Sequence, residues 1–116
     1  MQVKIYHNPR CSKSRRTLEI IQENCVEPTI FEYLKNPPNH QELDNILRGL
    51  GMEPRELMRK GETEYTEHNL ADKSLSRDQL IDAIVKYPKL LERPIVVVGD
   101  QVVIGRPPES VLTILP

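Results

Sequence analysis

The sequence predicts an α/β fold in which a βαβ half and a ββα half share one mixed four-stranded sheet. Three stretches carry that expectation. Residues 2–7, "QVKIYH", alternate and run into Asn8-Pro9, which reads as a strand entering a turn. From Ser12 to about Cys25, Leu18, Ile20, Ile21 and Cys25 recur at spacings that make one apolar helical face. Near the other end, "RPIVVVGDQVVIG" sets two apolar runs around Gly99-Asp100, a hairpin signal.

Taken in order, the first strand and helix are followed by "PTIFEYL" (28–34), β-branched and aromatic, a second strand. A strand, a helix and a strand so close together form a βαβ unit, so the two strands should be parallel. Asn36-Pro37-Pro38 ends the unit. The periodicity from about 39 to 91 is helical. Leu43, Ile46, Leu47 and Leu50 mark a helix that stops at Gly51, a C-terminal glycine. Pro54 to Met58 reads as a short helix with proline at its first position. Residues 60–73 are polar and carry no clear periodicity. Ser76 and Gln79 form a capping-box pattern ahead of Leu80, Ile81, Ala83 and Ile84, and Pro88 lies just beyond. After the hairpin, Pro107-Pro108-Glu109 opens a last helix with Val111, Leu112 and Leu115. This order is the thioredoxin-like arrangement, expected as a single domain over 1–116 with a helical insertion at about 39–91.

Composition narrows the function classes. The chain has 116 residues, and its 16 Lys and Arg oppose 17 Asp and Glu. Such a balance gives no global field for nucleic acid or an acidic membrane, so neither is expected as a partner. No apolar run approaches the length of a membrane helix. The chain opens on an alternating strand rather than a basic and then apolar leader, so the cytoplasm is the expected location. Two cysteines there do not suggest a disulfide framework. Cys11 and Cys25 are too few for a structural zinc site without histidines, and His7, His40 and His68 show no metal-like spacing. No metal is expected.

"HNPRCSKSRR" (7–16) places Cys11 among Arg10, Lys13, Arg15 and Arg16, with no acidic residue before Glu19. Cys11 falls where the first helix begins. A helix start presents unpaired N–H groups and partial positive charge, which favour a thiolate. With basic side chains added, Cys11 is expected to be a nucleophile near neutral pH. A buried packing cysteine is the alternative, but such cysteines sit on apolar faces and not in a polar, Pro-preceded turn. Cys25 has the opposite context and is expected to pack.

The surrounding residues exclude several chemistries. A thioredoxin-type motif needs a second cysteine at 14, where Ser14 stands, so a mixed disulfide must be resolved by an external thiol. A phosphatase loop needs arginine at 17, where there is Thr17, and a phosphate-cradling loop needs glycines that are absent. Ser14 either donates a hydrogen bond to the thiolate or caps the helix, and the sequence leaves both open. His7 ends the first strand, either as a structural residue or as one that shifts the thiol's pKa or carries its proton. His40 and His68 are expected to be solvated.

Three arginines stand out by context: Arg59 after a short helix, Arg93 before Pro94, and Arg106 before Pro107. A lone arginine is ordinarily a solvated surface residue. Arg93 and Arg106, however, fall at the open end of the hairpin. In a thioredoxin-like sheet the pair before the third strand is usually X–cis-Pro, beside the catalytic cysteine, and Arg93-Pro94 holds that place. The planar guanidinium fork suits an oxyanion. A thiolate with arginines around it points to attack on, or capture of, a small tetrahedral oxyanion.

On the stretches "IYHNPRCSKSR", "ELMRK", "ERPIVV" and "IGRPPE", in that order, the sequence resembles the glutaredoxin-coupled arsenate reductases of bacteria over essentially its whole length. It looks closest to their short chromosomal branch. The resemblance implies that Cys11 attacks arsenate to form a covalent thiol–arsenate adduct. Glutathione then joins it as co-substrate, arsenite leaves, and glutaredoxin reduces the remaining mixed disulfide, with no bound cofactor. It also implies that Arg59, Arg93 and Arg106 bind the oxyanion, that His7 lies near the thiol, and that Ser14 contacts it. Plasmid-borne relatives carry small residues where this chain has Ser12 and Lys13, and they run on past "LTILP". Two other functions fit the same residues: a thiol enzyme for another oxyanion or a glutathionylated substrate, and an Spx-like regulatory protein. Many of the latter use a Cys-x-x-Cys switch, which Ser14 excludes here.

Overall fold

The computed structural model describes residues 2–116. They fall into two compact units, one made of the segment ending at Asn36 together with Arg93–Pro116, the other of Pro37–Glu92.

The first unit holds the sheet. Its strands are β1 (Val3–His7), β2 (Thr29–Glu32), β3 (Ile95–Val98) and β4 (Gln101–Ile104), in the order β2-β1-β3-β4. The β1–β2 pair is parallel, with Ile5 opposite Ile30, as the βαβ reading requires. The β1–β3 and β3–β4 pairs are antiparallel, with Ile5 opposite Val96 and Val96 opposite Val103. This is the expected thioredoxin-like sheet. Gly99 takes the positive φ of 62° in the two-residue turn between Val98 and Gln101. Helix α1 (Ser12–Glu23) lays Ile20 and Ile21 on a core of Val3, Ile5, Val96, Val98 and Val111.

Three details differ from the sequence reading. Helix α1 does not reach Cys25. The Cys25 N–H bonds to the Gln22 carbonyl (3.0 Å) and the Val26 N–H to that of Ile21 (3.3 Å), a Schellman ending. Cys25 takes the left-handed position at φ 60°, which turns its side chain into solvent, and Val26 packs on the core instead. The last helix is a 3₁₀ helix (Pro108–Thr113) rather than an α-helix. Its three-residue period aligns Val111 with Ile114 against the core and leaves Leu112 exposed. Strand β2 is shorter than "PTIFEYL", because Lys35 and Asn36 both turn back to the Glu32 carbonyl (2.9 Å each).

The second unit is helical, as expected. In α2 (His40–Leu50) the apolar stripe of Leu43, Ile46 and Leu47 is buried, and Gly51 ends the helix at φ 65°. Its capping box, Asn39 with Glu42, was not read from the sequence. Pro54–Leu57 is a single 3₁₀ turn. The polar stretch 60–73 contains one short helix, α3 (Thr63–Glu67), and Arg55 anchors the chain that follows by donating to the Leu70 and Asp72 carbonyls. Helix α4 (Arg77–Lys86) starts with the expected Ser76–Gln79 box and buries Leu80, Ile81 and Ile84. Asp44 of α2 takes Arg77 of α4 at 2.5 Å. His40 is not simply solvated, since its ring lies 2.7 Å from Asp82 and 3.2 Å from Asp78. His68 stacks on Tyr87, with ring centroids 4.2 Å apart.

Among the described residues no helix is long and apolar enough to cross a membrane. Ile21 is fully buried where α1 meets the sheet. Ile21→Ala should therefore lower unfolding stability by about 2–5 kcal/mol, read as a lower denaturant midpoint at unchanged slope. A loss under about 1 kcal/mol would mean that α1 is held elsewhere.

Candidate active site

The turn between β1 and α1 is built by Asn8. Its carbonyl accepts the Cys11 N–H and its side-chain oxygen accepts the Arg10 N–H, each at 3.0 Å. This places Cys11 at the N-cap of α1 with extended backbone (φ −94°, ψ 122°), half-buried. An N-cap side chain faces the unpaired N–H groups of the first turn, and here that side chain is a thiol.

Burial alone pushes the Cys11 thiol up. It is outweighed by the Ser14 backbone N–H, by the hydrogen bond and charge of Arg93, and by the Lys13 backbone N–H, so the thiol titrates below its ordinary value. Arg106 adds a second guanidinium, its Nη2 donating to Cys11 Sγ at 3.8 Å. Arg106 is itself steered by Arg93, whose backbone carbonyl accepts Arg106 Nε at 2.8 Å. Arg93 is half-buried, with its Nε and Nη1 in the interior. Both Arg93-Pro94 and Arg106-Pro107 are cis peptides; the first matches the sequence expectation, and the second was not foreseen.

The positive charge at the sulfur therefore comes from the far end of the chain. Two of the basic neighbours of Cys11 in sequence are engaged elsewhere. Arg16 pairs with Glu19 (3.2 Å) and Glu23 (2.9 Å), Arg15 donates to the Pro9 carbonyl (3.0 Å), and the side chains of Arg10 and Lys13 are exposed. The basic cluster around Cys11 in the sequence thus supplies little of the immediate charge at its sulfur.

Ser14 is fully buried. Of the two roles left open for it, its hydroxyl takes neither. The Oγ accepts the Asn8 N–H at 3.0 Å and lies 2.6 Å from Nδ1 of His7, and it is the Ser14 backbone N–H that acts on the thiol. His7 is buried at the end of β1. Burial lowers its pKa, the nearby Arg15 charge adds to this, and Glu32 opposes it, so the ring is neutral near pH 7. Either tautomer of a neutral ring satisfies the pair with Ser14, which can donate or accept. His7 is thus bonded to the Ser14 hydroxyl, while the backbone N–H of the same residue acts on the thiol.

Arg59 belongs to the other unit. Its N–H donates to the Leu90 carbonyl (2.6 Å) beside the Met58–Leu91 bridge, and its Nη1 lies 3.4 Å from Glu62. Two residues that the sequence reading passed over complete the sheet end of the site. Thr17 was noted only for not being arginine, and Gly105 not at all, yet both are buried and touch. The signal for Gly105 was a glycine at the exit of a strand, directly before Arg106.

No cluster of metal-binding side chains occurs among the described residues. Because Cys25 is exposed and lies past the end of α1, Cys25→Ser should leave activity within about twofold of the parent, as surface changes usually do. Loss of turnover in that variant would make Cys25 a resolving thiol.

Comparisons with known proteins agree with this architecture over the whole chain. The ArsC family model matches residues 6–114. The Escherichia coli K12 protein YfgD is 57% identical over 115 residues, covering 98% of this chain and 97% of that protein. An arsenate reductase of Rhizobium meliloti is 44% identical over 116 residues, covering 100% of this chain and 83% of the relative. The structure of an arsenate reductase from Vibrio cholerae superposes with a TM-score of 0.95 at 48% identity, covering 99% of this chain and 98% of that one. The chain belongs to the ArsC family.

Proposed function

We propose that this protein is an arsenate reductase, with Cys11 as its nucleophile and glutathione and glutaredoxin as its electron donors. One observation carries the reading: a thiol of lowered pKa at a helix start, with Arg106 Nη2 at 3.8 Å and Arg93 acting on the same sulfur. The relatives named above as arsenate reductases support it at 44% and 48% identity.

The thiolate attacks the arsenic of protonated arsenate, and one As–OH group takes a proton from solvent and leaves as water, giving a covalent thiol–arsenate adduct. Arg93 and Arg106 hold the remaining oxyanion oxygens and offset the charge that builds up on them. A glutathione thiolate then attacks the Cys11 sulfur. The sulfur–arsenic bond breaks and its electron pair stays on arsenic, so As(V) leaves as As(III) arsenite while a Cys11–glutathione disulfide forms. Glutaredoxin reduces that disulfide by thiol exchange, which the lack of a second cysteine at Ser14 makes necessary. Ser14 and His7 support the first turn of α1. Arg59 enters this reading through the family resemblance alone. No resident cofactor is required, and a cytoplasmic location suits the thiol donors.

The test is arsenite production from arsenate with glutathione, glutaredoxin and NADPH-linked recycling. Sustained, arsenate-dependent turnover is expected. If folded protein shows none yet still exchanges disulfides with glutathione, it is a thiol enzyme for another substrate.

A further inference from the structure

Thr17 lies on the second turn of α1, fully buried, with Oγ1 donating to the Lys13 carbonyl at 2.8 Å. Against it sits Gly105, the buried residue that follows β4, whose N–H donates to the Pro94 carbonyl at 2.9 Å. A Cβ on Gly105 would stand 2.5 Å from Thr17 Oγ1, 3.1 Å from Thr17 Cγ2 and 2.7 Å from Pro94 Cγ. These distances are well inside van der Waals contact, so glycine is needed at 105 for the helix to approach this closely. On one side of the contact are Arg93, next to Pro94, and Arg106, next to Gly105. On the other is the helix turn whose Lys13 and Ser14 N–H groups act on the Cys11 thiol.

We propose that Gly105 and Thr17 form a steric stop that fixes the first turns of α1 against the 93–94 and 105–106 corner. They thereby set how far the Cys11 sulfur stands from the guanidinium groups of Arg93 and Arg106. Both are positioning residues, since neither touches the sulfur. The 3.8 Å from Arg106 Nη2 to Sγ leaves little slack, because attraction between the two groups falls as they separate. The proposal rests on Cys11 being the nucleophile, but not on arsenate being its substrate, and the thiol can be titrated with no substrate present.

The measurement is the rate of iodoacetamide alkylation of the full-length protein against pH. Peptide-resolved mass spectrometry separates Cys11 from Cys25, and Cys25 serves as the internal reference. In Gly105→Ala the pH of half-maximal Cys11 alkylation should rise by about 0.5–1, with Cys25 unchanged. Below that pH the Cys11 rate should fall about three- to tenfold. Gly105→Ala/Thr17→Ala, which removes two of the three close atoms, should bring the profile back towards the parent. Thr17→Val crowds Gly105 from the helix side, with a methyl in place of the nearest oxygen, and should shift the profile the same way by less. It also serves if Gly105→Ala does not fold. A merely structural contact would lower the melting temperature and leave the alkylation profile in place. A Cys11 profile that coincides with the parent's in every variant that folds overturns the proposal.

Discussion

Cys11→Ser should abolish arsenate reduction and leave the fold intact. The two halves of that expectation have different causes. Serine is among the residues preferred at a helix N-cap, the position that Cys11 occupies, so α1 keeps its start. Chemistry is lost because the backbone N–H groups and Arg93 lower the thiol's pKa and so favour the thiolate, the form that attacks. A hydroxyl ionises far less readily than a thiol, and the His7 imidazole, which could serve as a base, is held on the Ser14 hydroxyl. Arsenite production should fall below detection while the unfolding curve of the variant overlays that of the parent. Turnover comparable with the parent's would remove Cys11 from the mechanism.

Arg93→Ala should have the next largest effect, and it should act twice. Losing one donor to a developing oxyanion typically lowers the rate ~10²–10³-fold. The same change removes the hydrogen bond and charge that lower the Cys11 pKa, so the thiolate forms at higher pH. The folded thiol is depressed, removing the cause raises it, and the rising limb of the activity–pH profile moves to higher pH. Part of the loss at pH 7 should be recovered in alkali. Arg106→Ala also removes the contact to Sγ and the tie to the Arg93 carbonyl, and should lose activity to a similar degree. Lysine at either place is expected to rescue poorly, because a point charge does not reproduce the guanidinium fork. A change of less than about threefold in kcat/KM would show that the arginine concerned lies outside the reaction.

Much of the fold could be read from local signals because those signals have local causes. The β1 strand, the Gly51 helix end, the Ser76–Gln79 box and the Gly99 turn each depend on a few adjacent residues, and each is present. Where the reading failed, a contact distant in sequence or a choice of backbone state had decided the outcome. Cys25 has the right spacing for the apolar face of α1, yet the Schellman ending gives that place to Val26. Leu112 fits an α-helical stripe, but the segment winds with a three-residue period.

The candidate site divides in the same way. The place of Cys11 at a helix start was legible because a thiol in such a polar turn is unusual in its own sequence context. The source of its positive charge was not. Four nearby basic residues suggested a local field, but Arg16 is occupied by Glu19 and Glu23 and the site draws instead on Arg93 and Arg106. Only the β3–β4 hairpin, which returns both arginines to the end of β1, brings them there. Thr17 was unreadable for a related reason, and Gly105 showed only as a glycine at a strand exit. The close approach between helix and strand end leaves no mark on the helix segment itself.

Leaving glutaredoxin out tests whether Cys11 reduces arsenate through a covalent adduct that glutathione resolves. With glutathione and arsenate alone, one burst of arsenite is expected, with accumulation of a Cys11–glutathione disulfide, seen by peptide mass spectrometry and reversed by adding glutaredoxin. Arsenite released with Cys11 still free, or no arsenate-dependent modification of Cys11, would contradict that mechanism.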